Sequence, residues 1–422
     1  MTGANSSVPN SDVFLSVQEE VASLARLPEV RAACGRFRFE EAQIAQWQMD
    51  VSRVSAPPFG EIPRAEWLAI RFREIGLTGV EIDSVGNVFG LLPARAGQNN
   101  RYVALSAHID TVFPATTPLN IRQQGTRLYG PGVSDNGAGI AAMLAVASAL
   151  ATSRIPHTLP FVFIGNVGEE GEGDLRGMRH VFETPRWRDS IAYSVVVDGA
   201  GSDTIVAEAL GSRRFEVIAR GPGGHSWSDF GAPNPIIGLA RAIQIFSETP
   251  VPATPKTTFN IGVIRGGTSV NSIPESASMR VDLRSTSMLE IDRLERALRI
   301  AVDHAMDAEN RPASPRAPRR PHTLQCEFVE IGNRPAGELS PDARLLKVIR
   351  GVDALLANTA QVQRASTDAN IPLSLGREAI AIGAGGTGGG AHTLQEWYDC
   401  AGRDLGLSRI LLTMLTLSGI GE

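Results

Sequence analysis

Tyr102-Val-Ala-Leu-Ser-Ala-His108-Ile-Asp110-Thr-Val-Phe-Pro114 runs as an apolar segment into a His and an Asp two residues apart. In an extended chain, residues i and i+2 face the same side. His108 can then offer one ring nitrogen to a metal while Asp110 accepts from the other, which fixes the tautomer. Taken alone, the pair reads equally well as a surface His–Asp contact at a strand end. Outward from it, 80–92, 159–166 and 194–198 are further apolar runs expected as strands, and 138–150 is a small-residue stretch expected as a helix. Residues 14–75 read as helical, broken by the turn Pro57-Pro58-Phe59-Gly60. Strand and helix alternating in this way predict an α/β domain with a mainly parallel mixed sheet flanked by helices.

From about residue 213 the pattern changes to strand (214–220), helix (235–248), two strands (258–264 and 276–284), helix (289–309) and strand (323–331). That β-α-β-β-α-β order predicts a ferredoxin-like α+β module. After it, 340–358 reads as helix, 379–382 as a short strand and 397–419 as mostly helix, which would complete the first domain. The expected organisation is therefore discontinuous, with residues 1–212 and 335–422 forming one domain and residues 213–334 inserted into it.

The chain has 422 residues, enough for two cores. Its net charge of −5 offers no basic surface for nucleic acid, and the cationic cluster Arg316, Arg319 and Arg320 reads as a solvated loop. No apolar run is long enough to predict a membrane span. Residues 1–16 lack the cationic start and apolar core of a secretory signal, so a cytoplasmic location is expected. Three widely spaced cysteines, none in a CxxC pair, argue against disulfides and thiolate zinc, leaving His and carboxylates to hold any metal.

Two more segments carry acidic groups at such positions. Tyr129-Gly-Pro-Gly-Val-Ser-Asp135-Asn-Gly-Ala-Gly139 is a Gly-rich loop that lets Asp135 project inward, although Asp135 or Asn136 could serve only as a helix cap. Ile164-Gly-Asn-Val-Gly-Glu169-Glu170-Gly-Glu172-Gly-Asp174 places adjacent carboxylates after an apolar strand. Beside a metal, one can ligate while its neighbour takes a proton from water. Without one, they are a solvated charge run. Asp198 follows the strand at 194–197, and His392 follows the run Gly383-Ala-Gly-Gly-Thr-Gly-Gly-Gly390, which lacks the Lys-Ser/Thr ending of a phosphate loop. All five sit where α/β sheets gather ligands.

These segments, in this order, resemble the dinuclear zinc peptidase family that includes peptidase T, glutamate carboxypeptidase, acetylornithine deacetylase and succinyl-diaminopimelate desuccinylase. The resemblance implies that His108 and Asp198 hold one Zn²⁺, that Glu170 and His392 hold a second, and that Asp135 bridges the two. Asp110 would orient His108, and Glu169 would be the general base. Gly221-Pro-Gly-Gly-His225-Ser226 looks like the family segment whose His stabilises the oxyanion in the partner subunit's site. Asn271 in Ser269-Val-Asn271-Ser-Ile-Pro274 and Arg284 in Val281-Asp-Leu-Arg284-Ser285 look like substrate-carboxylate binders. The inserted domain would then serve as lid and homodimer interface. In Ala391-His392-Thr393-Leu394-Gln395-Glu396 the chain departs from the common His-Ser-x-x-Glu, and Ser366-Thr-Asp-Ala-Asn370 resembles a family loop with no assigned role beyond pocket shaping.

The chemistry expected is metal-dependent hydrolysis of amide bonds in small peptides, by a di- or tripeptidase or aminopeptidase. Glu172 and Asp174 favour it as acidic groups that could hold a substrate ammonium. An N-acyl amino acid deacylase is the alternative, and a non-catalytic metal- or peptide-binding protein is the rival from another class. Mn²⁺ or Co²⁺ would suit the same ligands as Zn²⁺.

Overall fold

The computed structural model describes residues 11–97, 99–311 and 323–421. The cluster Arg316, Arg319 and Arg320 and most of the polar leader lie outside these residues. The chain divides into two compact units, Met1–Ala209 with Glu338–Glu422, and Leu210–Gly337.

The first unit is built on a mixed sheet with the order Thr78–Ile82, Val88–Leu92, Phe161–Asn166, Tyr102–His108, Ile191–Val197, Glu378–Ile382, Thr204–Ala209, Gly337–Glu338. Its centre is parallel: Tyr102–His108 lies between Phe161–Asn166 and Ile191–Val197, and Glu378–Ile382 continues beyond the latter. One edge is antiparallel because the expected single run at 80–92 is two strands. Asp83 Oδ1 accepts the N–H groups of Val85, Gly86 and Asn87 at 2.8–3.0 Å, and that turn reverses the chain. Gln361–Ala365, a strand not expected from its polar sequence, pairs parallel with Thr204–Ala209.

Helix Gly137–Thr152 is apolar all round and almost wholly buried against the sheet, as such a sequence requires. Its glycines permit that approach, since a Cβ on Gly139 would stand 2.7 Å from Val197 O. Helix Arg403–Ser418 is buried on the same side with Ile62–Ile75, whereas Arg176–Glu183 and Asn370–Ser374 cover the other face. The expected helix at 397–419 begins only at Arg403. Trp397–Asp399 is instead a strand of a second sheet, ordered Thr387–Gly389, Trp397–Asp399, Arg127–Tyr129, Arg122–Gln124. This small sheet sets the loop containing His392 beside the loop containing Asp135, a long-range pairing that local pattern cannot reveal.

The second unit is a four-stranded antiparallel sheet, ordered Thr257–Gly266, Ser276–Ser285, Gly211–Arg220, Gln325–Arg334, with helices Pro235–Ser247 and Met288–Asn310 on one face. In chain order that is 2-3-1-4, the ferredoxin-like arrangement. Its own core includes Phe215, Val217, Leu239, Phe246, Met279, Val281, Leu294 and Leu298.

Candidate metal centre

Three parallel strands deliver side chains at their carboxyl ends: His108 from Tyr102–His108, Glu169 and Glu170 just after Phe161–Asn166, and Asp198 just after Ile191–Val197. Asp135 and His392 arrive from the loops joined by the small sheet. His108 Nε2 lies 3.0 Å from Asp135 Oδ1 and 3.6 Å from Asp198 Oδ1. His392 Nε2 lies 3.0 Å from Asp135 Oδ2 and 3.0 Å from Glu170 Oε1. One carboxylate is thus shared by two imidazoles, each of which has a second carboxylate of its own.

His108 Nδ1 is 3.2 Å from the Asp110 carbonyl oxygen and 3.6 Å from Asp110 Oδ1. An Nδ1–H donating there leaves Nε2 facing carboxylate oxygens, where either a proton or a metal ion completes the contact. The donors fit a metal. Ligand atoms about 2.0 Å from a tetrahedral zinc stand about 3.3 Å from one another, and the four nitrogen–oxygen pairs of the cluster are separated by 3.0–3.6 Å. The ligand atoms of His108, Asp135 and Glu170 all lie within 4.8 Å of one another.

The supporting contacts are specific. Asp110 is fully buried, and its two oxygens accept the N–H groups of Glu169 (3.0 Å) and Glu170 (2.8 Å), so it orients the acidic loop as well as the imidazole. Asn136 does cap the helix, accepting from Gly139 N at 3.0 Å, so the cap does not use the Asp135 carboxylate. Asn136 also accepts from Gly199 N (3.1 Å) and donates to Val197 O (2.9 Å), which fixes the strand end bearing Asp198. The Asp135–Asn136 peptide is cis.

Three groups were not foreseen in this role. Glu396, fully buried, accepts N–H bonds from Gly132 (2.8 Å), Ser134 (2.7 Å) and Asp135 (2.7 Å) and so holds the loop bearing Asp135. Its spacing four residues after His392 was the available signal. Arg64, also buried, donates to Ile109 O (2.9 Å) and twice to Val54 O, and nothing local marks it out from other helix arginines. Asp368, in the loop with no assigned role, accepts from Asn166 Nδ2 at 2.6 Å, a contact that only the folded sheet creates.

Electrostatically, the cluster holds excess negative charge together with protons. Burial opposes a charged His108, but hydrogen bonds to Asp110, Asp135 and Asp198 outweigh it and raise its pKa well above the ordinary value. The hydrogen bond to Asp135, against burial, raises His392 to about 9. Burial, reinforced by the Asp135 charge, raises Glu170 to about 7. Burial would raise Asp135, but its two imidazole partners prevail and lower it. Protons here occupy positions that a metal would take.

On the second unit, His225 and Asn271 lie together: Ser226 N donates to Asn271 O at 3.0 Å, and Gly224–His225 pairs with Ser272–Ile273. His225 Nδ1 accepts from Trp227 N at 3.1 Å, which leaves the Nε2–H of this exposed residue as a donor. Ser269 Oγ donates to Asn271 Oδ1, leaving the amide NH₂ as the outward donor. Arg284 lies elsewhere. It pairs with Ser212 at the end of the sheet where the chain enters and leaves the unit, and its Nε donates to Asp282 at 2.6 Å. Eight residues of strand separate it from Ser276 beside the Asn271 loop, roughly 27 Å. Of the acidic groups expected to hold an ammonium, Asp174 is paired with Arg179 at 3.3 Å and Glu172 is exposed.

The first unit is a mixed α/β sheet whose strand ends gather His and carboxylate groups that could hold a metal ion, and the second is a ferredoxin-like unit inserted into it. Residues 104–413 match Peptidase family M20/M25/M40, and the chain belongs to that family. It is 30% identical over 219 residues to the "Probable carboxypeptidase" of Aspergillus clavatus, covering 47% of each chain. It is 27% identical over 249 residues to the succinyl-diaminopimelate desuccinylase of Nitrosococcus oceani, covering 55% of this chain and 65% of that one. The chain thus spans between about half and two thirds of the length of these curated relatives. In fold it is similar to the aminopeptidase PepT of Bacillus cereus, with a TM-score of 0.70 and 19% identity, over 89% of this chain and 98% of that one. A tripeptidase of Staphylococcus aureus gives the same TM-score, 0.70, at 19% identity over 90% and 98%.

Proposed function

We propose that the chain is a two-zinc amidohydrolase that cleaves amide bonds in small peptides as a di- or tripeptidase or aminopeptidase. The observation that carries this is the single carboxylate of Asp135 lying 3.0 Å from both His108 Nε2 and His392 Nε2. His108 and Asp198 would hold one ion and Glu170 and His392 the other, with Asp135 common to both; Mn²⁺ or Co²⁺ suits the same donors. When bound, the ions polarise the amide carbonyl and acidify water. Glu169, held by Asp110 through its N–H, takes the water proton and returns it to the leaving amine. His225 offers Nε2–H to the developing oxyanion, while Asn271 and Arg284 take the substrate carboxylate or carbonyl.

Because His225 and Asn271 occupy one end of the second unit and Arg284 the other, one small substrate cannot meet all three from a single copy of that unit. Their separation supports a homodimer through the inserted domain, in which each site draws on both copies. The PepT and tripeptidase neighbours favour the peptidase assignment, and the desuccinylase relative favours N-acyl amino acid deacylation as a second reading. Free Cys34, Cys326 and Cys400 are consistent with a cytoplasmic location. Among the described residues no helix is long and apolar enough to cross a membrane.

Zinc-loaded wild type and Glu169→Gln, matched for metal content, should be assayed on short peptides and N-acyl amino acids. The variant is expected to keep its zinc and lose about 10²- to 10⁴-fold in kcat. Equal activity would remove Glu169 as the base, and the members cleaved by wild type decide between the two substrate classes.

A further inference from the structure

We propose that Phe59 forms a specificity subsite for a bulky apolar group of the substrate, at the rim of the metal-ligand cluster. This rests on the amide-hydrolysis assignment above. Phe59 is 68% exposed and has φ 69°, in the left-handed region that aromatic residues rarely adopt. Neither feature favours folding, yet the turn is firmly built. Gly60 N donates to Pro57 O at 2.8 Å, and Thr111 N donates to Ala56 O at 2.9 Å, which ties the turn to the segment just after Asp110.

On the other side, the Arg176 guanidinium lies 4.8 Å from the Phe59 ring centroid, and its Nη2 donates to the buried Glu61 at 2.7 Å. Arg176 also lies directly against Gly168, where a Cβ would come within 2.2 Å of Nη1. The next residue is Glu169. One guanidinium therefore stands between the phenyl ring and the backbone leading into Glu169, and the turn is hydrogen-bonded to the segment after His108 and set, through Arg176, against the segment before Glu170. Backbone strain of this kind persists where the surroundings over-determine it, and it gathers at ligand clamps. With Arg176 already paired to Glu61, what the ring offers solvent is apolar surface. The chemistry that fits it is a large aliphatic or aromatic side chain, or an apolar acyl group, next to the scissile bond.

The test compares zinc-loaded wild type, Phe59→Gly and Phe59→Tyr on substrate pairs that differ only by Gly against Leu or Phe. The expected result for Phe59→Gly is a fall of about 10- to 100-fold in the ratio of kcat/KM for the bulky over the small member. Phe59→Tyr should retain the ratio. The melting temperature of Phe59→Gly should not fall below that of wild type, since glycine relieves the left-handed backbone. An unchanged ratio, or an equal loss on both members with a lowered melting temperature, overturns the subsite and leaves amide hydrolysis standing. A wild type that cleaves no member of the panel sinks the hydrolase assignment, and the subsite with it.

Discussion

Glu396 acts through three N–H groups rather than through any reacting atom. With the carboxylate removed, the donors of Gly132, Ser134 and Asp135 are left buried beside a small void. A buried unsatisfied group costs about 1–3 kcal/mol, and Asp135 loses its anchor. Glu396→Ala is therefore expected to lower stability by about 3 kcal/mol, since the three losses are not additive. Zinc affinity should fall about 10- to 100-fold, as for other groups that orient metal ligands. Denaturant unfolding of the metal-free protein and chelator competition measure the two effects separately, and unchanged zinc affinity would make Glu396 a fold residue only.

At the scale of elements, the helix Gly137–Thr152 meets the sheet through glycine. A Cβ on Gly139 would stand 2.1 Å from Asn136 Oδ1 and 2.7 Å from Val197 O, so the helix start must shift away from the strand bearing Asp198. Gly139→Ala should cost about 1–3 kcal/mol by overpacking. On the two-ion assignment proposed above, it should also weaken the site assigned to Asp198 more than the one assigned to His392, which a two-phase zinc titration would resolve. Equal weakening of both would mean that the shift spreads to the Asp135 loop. The second sheet illustrates why some elements escaped sequence reading. Trp397–Asp399 is three residues long beside a real helix, and only its pairing with Arg127–Tyr129 defines it as a strand.

For the whole molecule, protons and metal compete for one cluster. In the folded protein His392 is raised from 6.5 to about 9 and Glu170 from 4.5 to about 7, so the fold binds protons more tightly than the unfolded chain does. Their contribution is complete below the unfolded values and is lost as pH rises through the folded ones. Glu396 and Asp368, raised by burial to about 7, act with the same sign. Asp135 and Asp110, lowered, act oppositely, and only in acid. The melting temperature of metal-free protein should therefore fall between about pH 5 and about pH 9. If zinc binds at the proposed ligands, it would take the place of those protons and should flatten or reverse the trend. A metal-free protein equally stable across that range would contradict the assigned cluster.

Local sequence determined most of the elements and where their candidate ligands lie. Apolar runs ending in His108, Glu169 and Asp198 are legible because a strand's side-chain period is two and its burial demands apolar residues. The β-α-β-β-α-β order of the insert is legible for the same reason. Gly-rich loops announced Asp135 and His392 as residues free to turn inward. Only the tertiary structure decided that Asp135 stands between two imidazoles, that Glu396 rather than a neighbour holds its loop, and that Arg284 lies at the opposite end of its sheet from His225 and Asn271. Those are distances between residues far apart in the chain. They are fixed by strand register and by how closely glycine lets helix and sheet approach, quantities that no single segment contains.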